Sequence, residues 1–152
     1  MNWGMIGAGV VMGIAAMGSA IGIGIAGQGA IGAWKRCYLN NKPAPFLLVV
    51  FAGAPLTQTI YGFLLMNTML GKAKDFSEVA FRTNGLFMLG LGIACGLSMC
   101  MSAVAQGKAG AAGSDALAET GKGFTNYIMI VGLCETIALF SMVFGIVACN
   151  GL

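Results

Sequence analysis

The chain has 152 residues, 58% of them hydrophobic and only 9% charged, with a formal net charge of +3 and no histidine. Soluble domains carry about 25% charged residues, so this composition excludes a soluble globular enzyme, and a charge this small and scattered gives no footing for nucleic acid. A mean hydropathy of +0.87 points instead to an integral membrane protein.

Charge-free stretches run from Met1 to Trp34, from Pro43 to Gly71 and from Thr83 to Gly107, and a fourth, Gly123 to Leu152, carries the single charge of Glu135. Each exceeds the ~20 residues needed to cross a bilayer. Backbone inside hydrocarbon must satisfy its own hydrogen bonds, so spans are helices or closed barrels, and these runs show no period-2 alternation. The pattern predicts an all-α membrane protein with four transmembrane helices at about 5–34, 45–70, 84–112 and 123–149. The first run is far longer than the usual h-region of about 7–15 residues and has no basic n-region, so it reads as a retained span rather than a secretory signal.

Lys35, Arg36 and Lys42 fall between helices 1 and 2, Lys108 and Lys122 between 3 and 4, and Lys72, Lys74 and Arg82 between 2 and 3. The positive-inside rule then places the 1–2 and 3–4 connections in the cytoplasm and both termini outside. Of the five cysteines, Cys95, Cys100, Cys134 and Cys149 fall in spans and Cys37 in a loop; none has CxxC spacing, so buried small apolar residues are expected rather than disulfides or zinc.

Helices 1 and 3 are rich in small residues. Gly9/Gly13 and Gly18/Gly22 are GxxxG pairs, joined by Ala20, Gly24, Gly27, Gly29 and Gly32, while helix 3 carries Gly92, Gly96, Ser98, Ser102, Ala103 and Gly107. Such faces let backbones approach closely. Helices 2 and 4 carry Phe46, Phe51, Phe63, Phe124, Phe140 and Phe144, which suits two layers, slim helices inside and bulky ones outside. Gly22-Ile23-Gly24-Ile25-Ala26-Gly27 matches the letters of the dinucleotide fingerprint, but no strand precedes it and the next acid is Asp75, so no nucleotide role follows.

The two halves of the chain repeat each other. Leu56-Thr57-Gln58-Thr59-Ile60, then Phe63, aligns with Leu133-Cys134-Glu135-Thr136-Ile137, then Phe140, at an offset of 77 (135 − 58). Ala26-Gly27-Gln28-Gly29 aligns with Val104-Ala105-Gln106-Gly107 at 78 (106 − 28). Two anchors with nearly one offset predict a duplicated helical hairpin, residues 1–76 and 77–152, related in parallel. One copy holds a carboxylate and the other an amide.

A carboxylate at bilayer depth costs about 2.5–3.5 kcal/mol on insertion scales. No Lys, Arg or His shares the helix of Glu135, so ion or proton handling is the expected reason for keeping it. Thr57, Gln58 and Gln106 are the polar side chains that can join Glu135 at depth, and all offer oxygens, as a hard cation such as Na⁺ requires. Pro55 removes a backbone donor, freeing the Phe51 carbonyl and exposing nearby carbonyls such as that of Ala54. Gln106 and Glu135 lie at similar distances from the 3–4 turn provided helix 3 continues past Lys108 to about Ala118. Gln28, whose matched partner lacks a carboxylate, is expected to serve as interhelical hydrogen-bond glue.

The sequence Pro55-Leu56-Thr57-Gln58-Thr59-Ile60-Tyr61-Gly62-Phe63, together with Ala105-Gln106-Gly107-Lys108, a Gly-rich first helix and Glu135 in helix 4, is similar to that of the duplicated four-helix proteolipids (K or c subunits) that form the membrane rotor ring of V-type ATPases, of the Na⁺-translocating bacterial type. The resemblance covers essentially the whole chain. It implies a homo-oligomeric ring that carries one Na⁺ per protomer, or H⁺ in proton-translocating members, with ligands at Thr57, Gln58, Gln106 and Glu135, a backbone oxygen from Ala54, and Tyr61 hydrogen-bonding Glu135. It also implies a stator subunit with a charged helix, central-stalk subunits and membrane lipid as partners, residence in the cell membrane, and no organic cofactor. Leu56 and Thr59 depart from the pattern, standing where sodium-type members carry Gly. The chain has no P-loop motif, so it is expected to be a non-catalytic carrier. The rival readings are a proton ring of the same family, a small four-helix cation or drug antiporter, which calls for an aromatic cage near the acid, and a purely structural tetraspan.

Overall fold

The computed structural model describes residues 2–74, 76 and 80–152, the side chains of residues 80 and 81 excepted. The described residues form helices and short connections, with no strand among them: α1 (Trp3–Leu39), α2 (Leu48–Gly53), a 3₁₀ turn (Ala54–Leu56), α3 (Thr57–Lys74), α4 (Ala80–Thr120) and α5 (Phe124–Asn150). The second span, Leu48–Lys74, is therefore one helix interrupted at Pro55, whose missing N–H breaks the α-helical ladder. Four helices are long and apolar enough to cross a membrane, and the protein is an all-α, multi-pass membrane protein.

α1 and α4 have 37 and 41 residues, which at 1.5 Å per residue makes rods of roughly 55–60 Å, well beyond the ~30 Å hydrocarbon layer. Apolarity ends near Trp34 and Ala112, where the sequence predicts the spans to stop, yet the helices continue to Leu39 and Thr120. Charged side chains lower hydropathy without breaking a helix. In this overhang the Arg36 guanidinium pairs with Asp115 and, at 4.0 Å, with Glu119.

The two rods run parallel and meet backbone to backbone. Gly7 packs on Met88, Leu89 and Gly92, Gly18 on Cys100, Gly22 on Ala103 and Gly107, and Gly29 on Ala111; a Cβ at Gly18, Gly22, Gly92 or Gly107 would strike main-chain atoms of the facing helix. Of the two GxxxG pairs, Gly18/Gly22 lies in this contact. Gly9, Gly13, Gly24 and Gly27 have no neighbour within 4 Å of an added Cβ. At 100° per residue they form an arc of about 60° on the opposite side of α1, so α1 carries two glycine faces and the chain itself fills one.

α3 and α5 make the second layer, with Gly62 of α3 seated on Ala15 of α1 and Gly145 of α5 on Leu65. Leu133, Ile137, Phe140, Phe144 and Val147 line an exposed face of α5. The apolar interior falls into two clusters, one around Ala8, Val11, Leu65, Met69 and Met88, the other around Ala33, Leu48, Phe51, Leu117 and Val131. A polar layer separates them. The α4–α5 turn closes on Gly121 and Gly123 at φ +67° and +88°, conformations that a side chain would strain. All five cysteines are free, and all but Cys134 are buried.

Candidate functional site

The polar layer begins at the Pro55 break. The 3₁₀ turn leaves the first amides of α3 without the partners of a continuous helix. Thr57 N–H turns back to the Ala54 carbonyl, and Thr59 N–H donates at 3.1 Å to Oγ of Ser19, a buried residue of α1. Ser19 thus caps α3 from a neighbouring helix. The Ala54 carbonyl also accepts from Thr57 Oγ1 at 3.2 Å. The Phe51 carbonyl, which Pro55 leaves unpaired within its helix, points elsewhere: it lies against Gly110 of α4, 2.9 Å from where a Cβ would stand. That close approach needs glycine at Gly110 and keeps the Phe51 oxygen against α4.

One turn further along, Gln58 and Gln106 are both fully buried. Gln58 Nε2 donates to Gln106 Oε1 at 2.9 Å, while Gln106 Nε2 donates to the Val131 carbonyl at 3.1 Å and to Glu135 Oε2 at 3.4 Å. The other carboxylate oxygen, Oε1, accepts from the Tyr61 hydroxyl at 2.6 Å. Thr57 Oγ1 stands 3.4 Å from Gln58 Oε1. Thr57, Gln58, Tyr61, Gln106 and Glu135 therefore form one connected cluster across α3, α4 and α5, and the Ala54 carbonyl reaches it through Thr57. α4 does continue past Lys108, which brings Gln106 level with Glu135.

Glu135 is only half-buried, its open side lying beside the exposed face of α5. A carboxylate fixed on one side by a phenol and an amide, and open on the other, can close over a small cation or release it without the protein refolding. The oxygens of Thr57, Gln58, Gln106, Glu135 and Ala54 are the kind a hard cation accepts.

Other expected positions fall differently. Gln28 is exposed on α1 rather than buried between helices, so it is not glue within the chain. Leu56, which departs from the sodium-type pattern, is 53% exposed and turned away from the cluster, and Thr59 contributes through its backbone N–H. Two serines join the polar layer without any signal in the sequence: Ser19, and Ser102 of α4, whose Oγ donates at 2.6 Å to the Cys134 carbonyl. Both are small hydroxyls among glycines and alanines, and helical spacing does not distinguish a packing serine from a bonding one.

A four-span membrane proteolipid with one mid-depth carboxylate, held by a phenol and an amide, is the class that this fold and cluster define. Residues 89–148 match the C-subunit family of ATP synthases. The A-type ATP synthase subunit K of Methanocaldococcus jannaschii is 35% identical over 149 residues, 97% of this chain and 62% of the relative. The V-type sodium ATPase subunit K of Enterococcus hirae is 30% identical over 148 residues, 93% of this chain and 89% of the relative. The chain belongs to the ATP synthase C-subunit family, as a proteolipid of the K-subunit kind. Members of this family are non-catalytic, ion-carrying components of rotor rings. The chain spans about three-fifths of the length of the archaeal relative.

Proposed function

We propose that this chain is one protomer of a homo-oligomeric rotor ring in the membrane of a rotary ATPase, and that each protomer carries one Na⁺ across the membrane as the ring turns. The ion is held by Glu135, Gln106, Gln58 and Thr57 with the Ala54 carbonyl; Tyr61 keeps the Glu135 carboxylate turned inward, and Pro55 provides the break that exposes the carbonyl. The observation that carries this reading is the hydrogen-bonded run from Gln58 through Gln106 to Glu135. A proton carrier needs only the carboxyl, whereas two buried amides and a hydroxyl beside it suit an alkali cation. The name of the Enterococcus relative supports the same ion. Against an antiporter, the partners of Glu135 are a phenol hydroxyl and an amide, not the aromatic faces that a cation cage presents.

Movement follows from electrostatics. Facing lipid, Glu135 must be neutralised by its ion, because a bare carboxylate is costly there. Beside a charged stator helix with a water path, it releases the ion to one side and accepts another from the other. Each charge carried through 100 mV is worth about 2.3 kcal/mol, which couples rotation to ATP turnover elsewhere in the complex. Neighbouring protomers meet through the open glycine face of α1. The Arg36 end, with its 1–2 and 3–4 loops, lies in the cytoplasm of a plasma-membrane complex, facing central-stalk subunits, and both termini lie outside. The two hairpins, 1–76 and 77–152, are duplicates; the parallel run of α1 and α4 supports this, although residues 75 and 77–79 at the join lie outside the described residues.

Carbodiimide labelling of Glu135 in purified rings, titrated with NaCl or KCl at fixed pH, tests the reading. Protection by Na⁺ and not by K⁺ is expected; labelling indifferent to Na⁺ makes the ring a proton carrier.

A further inference from the structure

Ser102 sits at the centre of the polar layer, 5% exposed, and its bonding departs from what a serine inside a helix usually does. Such a hydroxyl commonly donates back to the carbonyl four residues earlier in its own helix. Here it donates across to α5, at 2.6 Å, to the carbonyl of Cys134, the residue before Glu135. A carbonyl only accepts, so the Ser102 proton is committed, and towards any other polar neighbour Ser102 Oγ is an acceptor.

That neighbour is Gln58, whose Nε2 lies 3.4 Å from Ser102 Oγ and 2.9 Å from Gln106 Oε1. Gln106 is itself fixed in direction: its Nε2 faces the Val131 carbonyl and Glu135 Oε2, so its oxygen faces Gln58. Both amide protons of Gln58 thus meet acceptors, and the amide oxygen is turned the other way, to 3.4 Å from Thr57 Oγ1. A flipped amide would set its oxygen against Ser102 Oγ and Gln106 Oε1, two acceptors with no proton to offer.

We propose that Ser102 is a positioning residue, which dictates that Gln58 presents its oxygen rather than its nitrogen to the transported cation and which ties that amide to the backbone carrying Glu135. The N–H face of an amide carries partial positive charge and cannot ligate a cation, so the direction of this amide decides whether Gln58 can serve as a ligand. The inference rests on the sodium reading for the identity of the ion, but not for the bonding order of the network.

Ser98 supplies the control, because it lies one turn away on α4, bonds Ser141 of α5 at 2.5 Å, and has no bond to Gln58, Gln106 or Glu135. In assembled rings, Ser102→Ala is expected to raise the NaCl concentration that half-protects Glu135 from carbodiimide about tenfold, the worth of one or two buried hydrogen bonds. Ser102→Cys, which keeps the side-chain volume with a weaker donor, is expected to raise it about threefold and gives the answer if the alanine variant does not assemble. Ser98→Ala is expected to stay within about twofold of wild type. Wild-type values for both Ser102 variants, or an equal shift in Ser98→Ala, overturn the proposal. If Na⁺ does not protect even wild-type rings, the sodium reading fails, and the same variants are judged by the rate of carbodiimide labelling at one fixed pH: a change of about threefold or more in the Ser102 variants alone supports the positioning role, and wild-type rates overturn it.

Discussion

Tyr61 on α3 and Glu135 on α5 are joined by a hydrogen bond of 2.6 Å between side chains 74 positions apart in sequence. The phenol donates to Oε1 while Gln106 approaches Oε2, so the carboxylate is gripped at both oxygens. Removing the hydroxyl in Tyr61→Phe leaves ring packing in place but frees one oxygen. A charge-assisted bond of this kind is worth about 1.5–3 kcal/mol, and the NaCl needed for half-protection of Glu135 is expected to rise by at least about tenfold. Carbodiimide labelling without Na⁺ is expected to become faster. Unchanged values on both counts would remove Tyr61 from the site.

Gln106 bonds partners on both neighbouring helices, Gln58 on α3 and Val131 and Glu135 on α5. In Gln106→Leu the volume is nearly kept while the acceptor for Gln58 and the donors to Val131 and Glu135 are lost. Rings are expected to assemble, and Na⁺ protection to weaken by about 10–100-fold. Protection equal to wild type would strike Gln106 from the ligands.

The two glycine faces of α1 give opposite expectations. Gly107→Ala drives a Cβ into the Gly22 backbone, and overpacking of this kind costs about 1–3 kcal/mol. The loss is expected as a lower thermal midpoint of helicity in the protomer. Gly24→Ala meets open space within the chain, so the protomer should melt as wild type does and any damage should appear only in ring assembly, read from the oligomer band on a mild detergent gel. A melting point lowered equally by both substitutions would contradict the assignment of separate faces.

Ser19→Ala leaves the half-buried Thr59 amide without its acceptor. The expected penalty is about 1–2 kcal/mol, and hydrogen exchange at the Thr59 amide should quicken roughly tenfold or more while exchange in the middle of α4 stays slow. Equal protection of Thr59 in both proteins would show that the cap is dispensable.

Arg36→Ala tests the overhang. Its partners, Asp115 and Glu119, have side chains that are 58% and 66% exposed, so the pairs are screened surface contacts worth about 0–1 kcal/mol. Protomer melting is expected to move little, and less in high salt than in low. A large loss would mean that this end is buried in the assembled ring.

Much of this was legible because polarity is rare in the chain. Four runs with at most one charge announced four spans, and Gln58, Gln106 and Glu135 stood out against an apolar background. Their meeting point followed from counting residues back from the α4–α5 turn. The end of the first helix was less legible, because hydropathy reports where lipid stops and not where hydrogen bonding stops; α1 runs on past Trp34 through Lys35 and Arg36 to Leu39. Nor could the glycine pattern tell which GxxxG pair packs inside the chain, since small residues occupy opposite sides of α1. Ser19 and Ser102 stayed hidden for a related reason: each looks like one more small residue until the neighbouring helix supplies its partner.

The Pro55 break sits in the second span at the level of the polar cluster, whereas α1 and α4 pass that level as uninterrupted rods in glycine contact. Two unbroken rods thus stand beside one interrupted helix, and the interruption at Ala54–Leu56 is what sets the Ala54 carbonyl, Thr57 and Gln58 side by side at the start of α3.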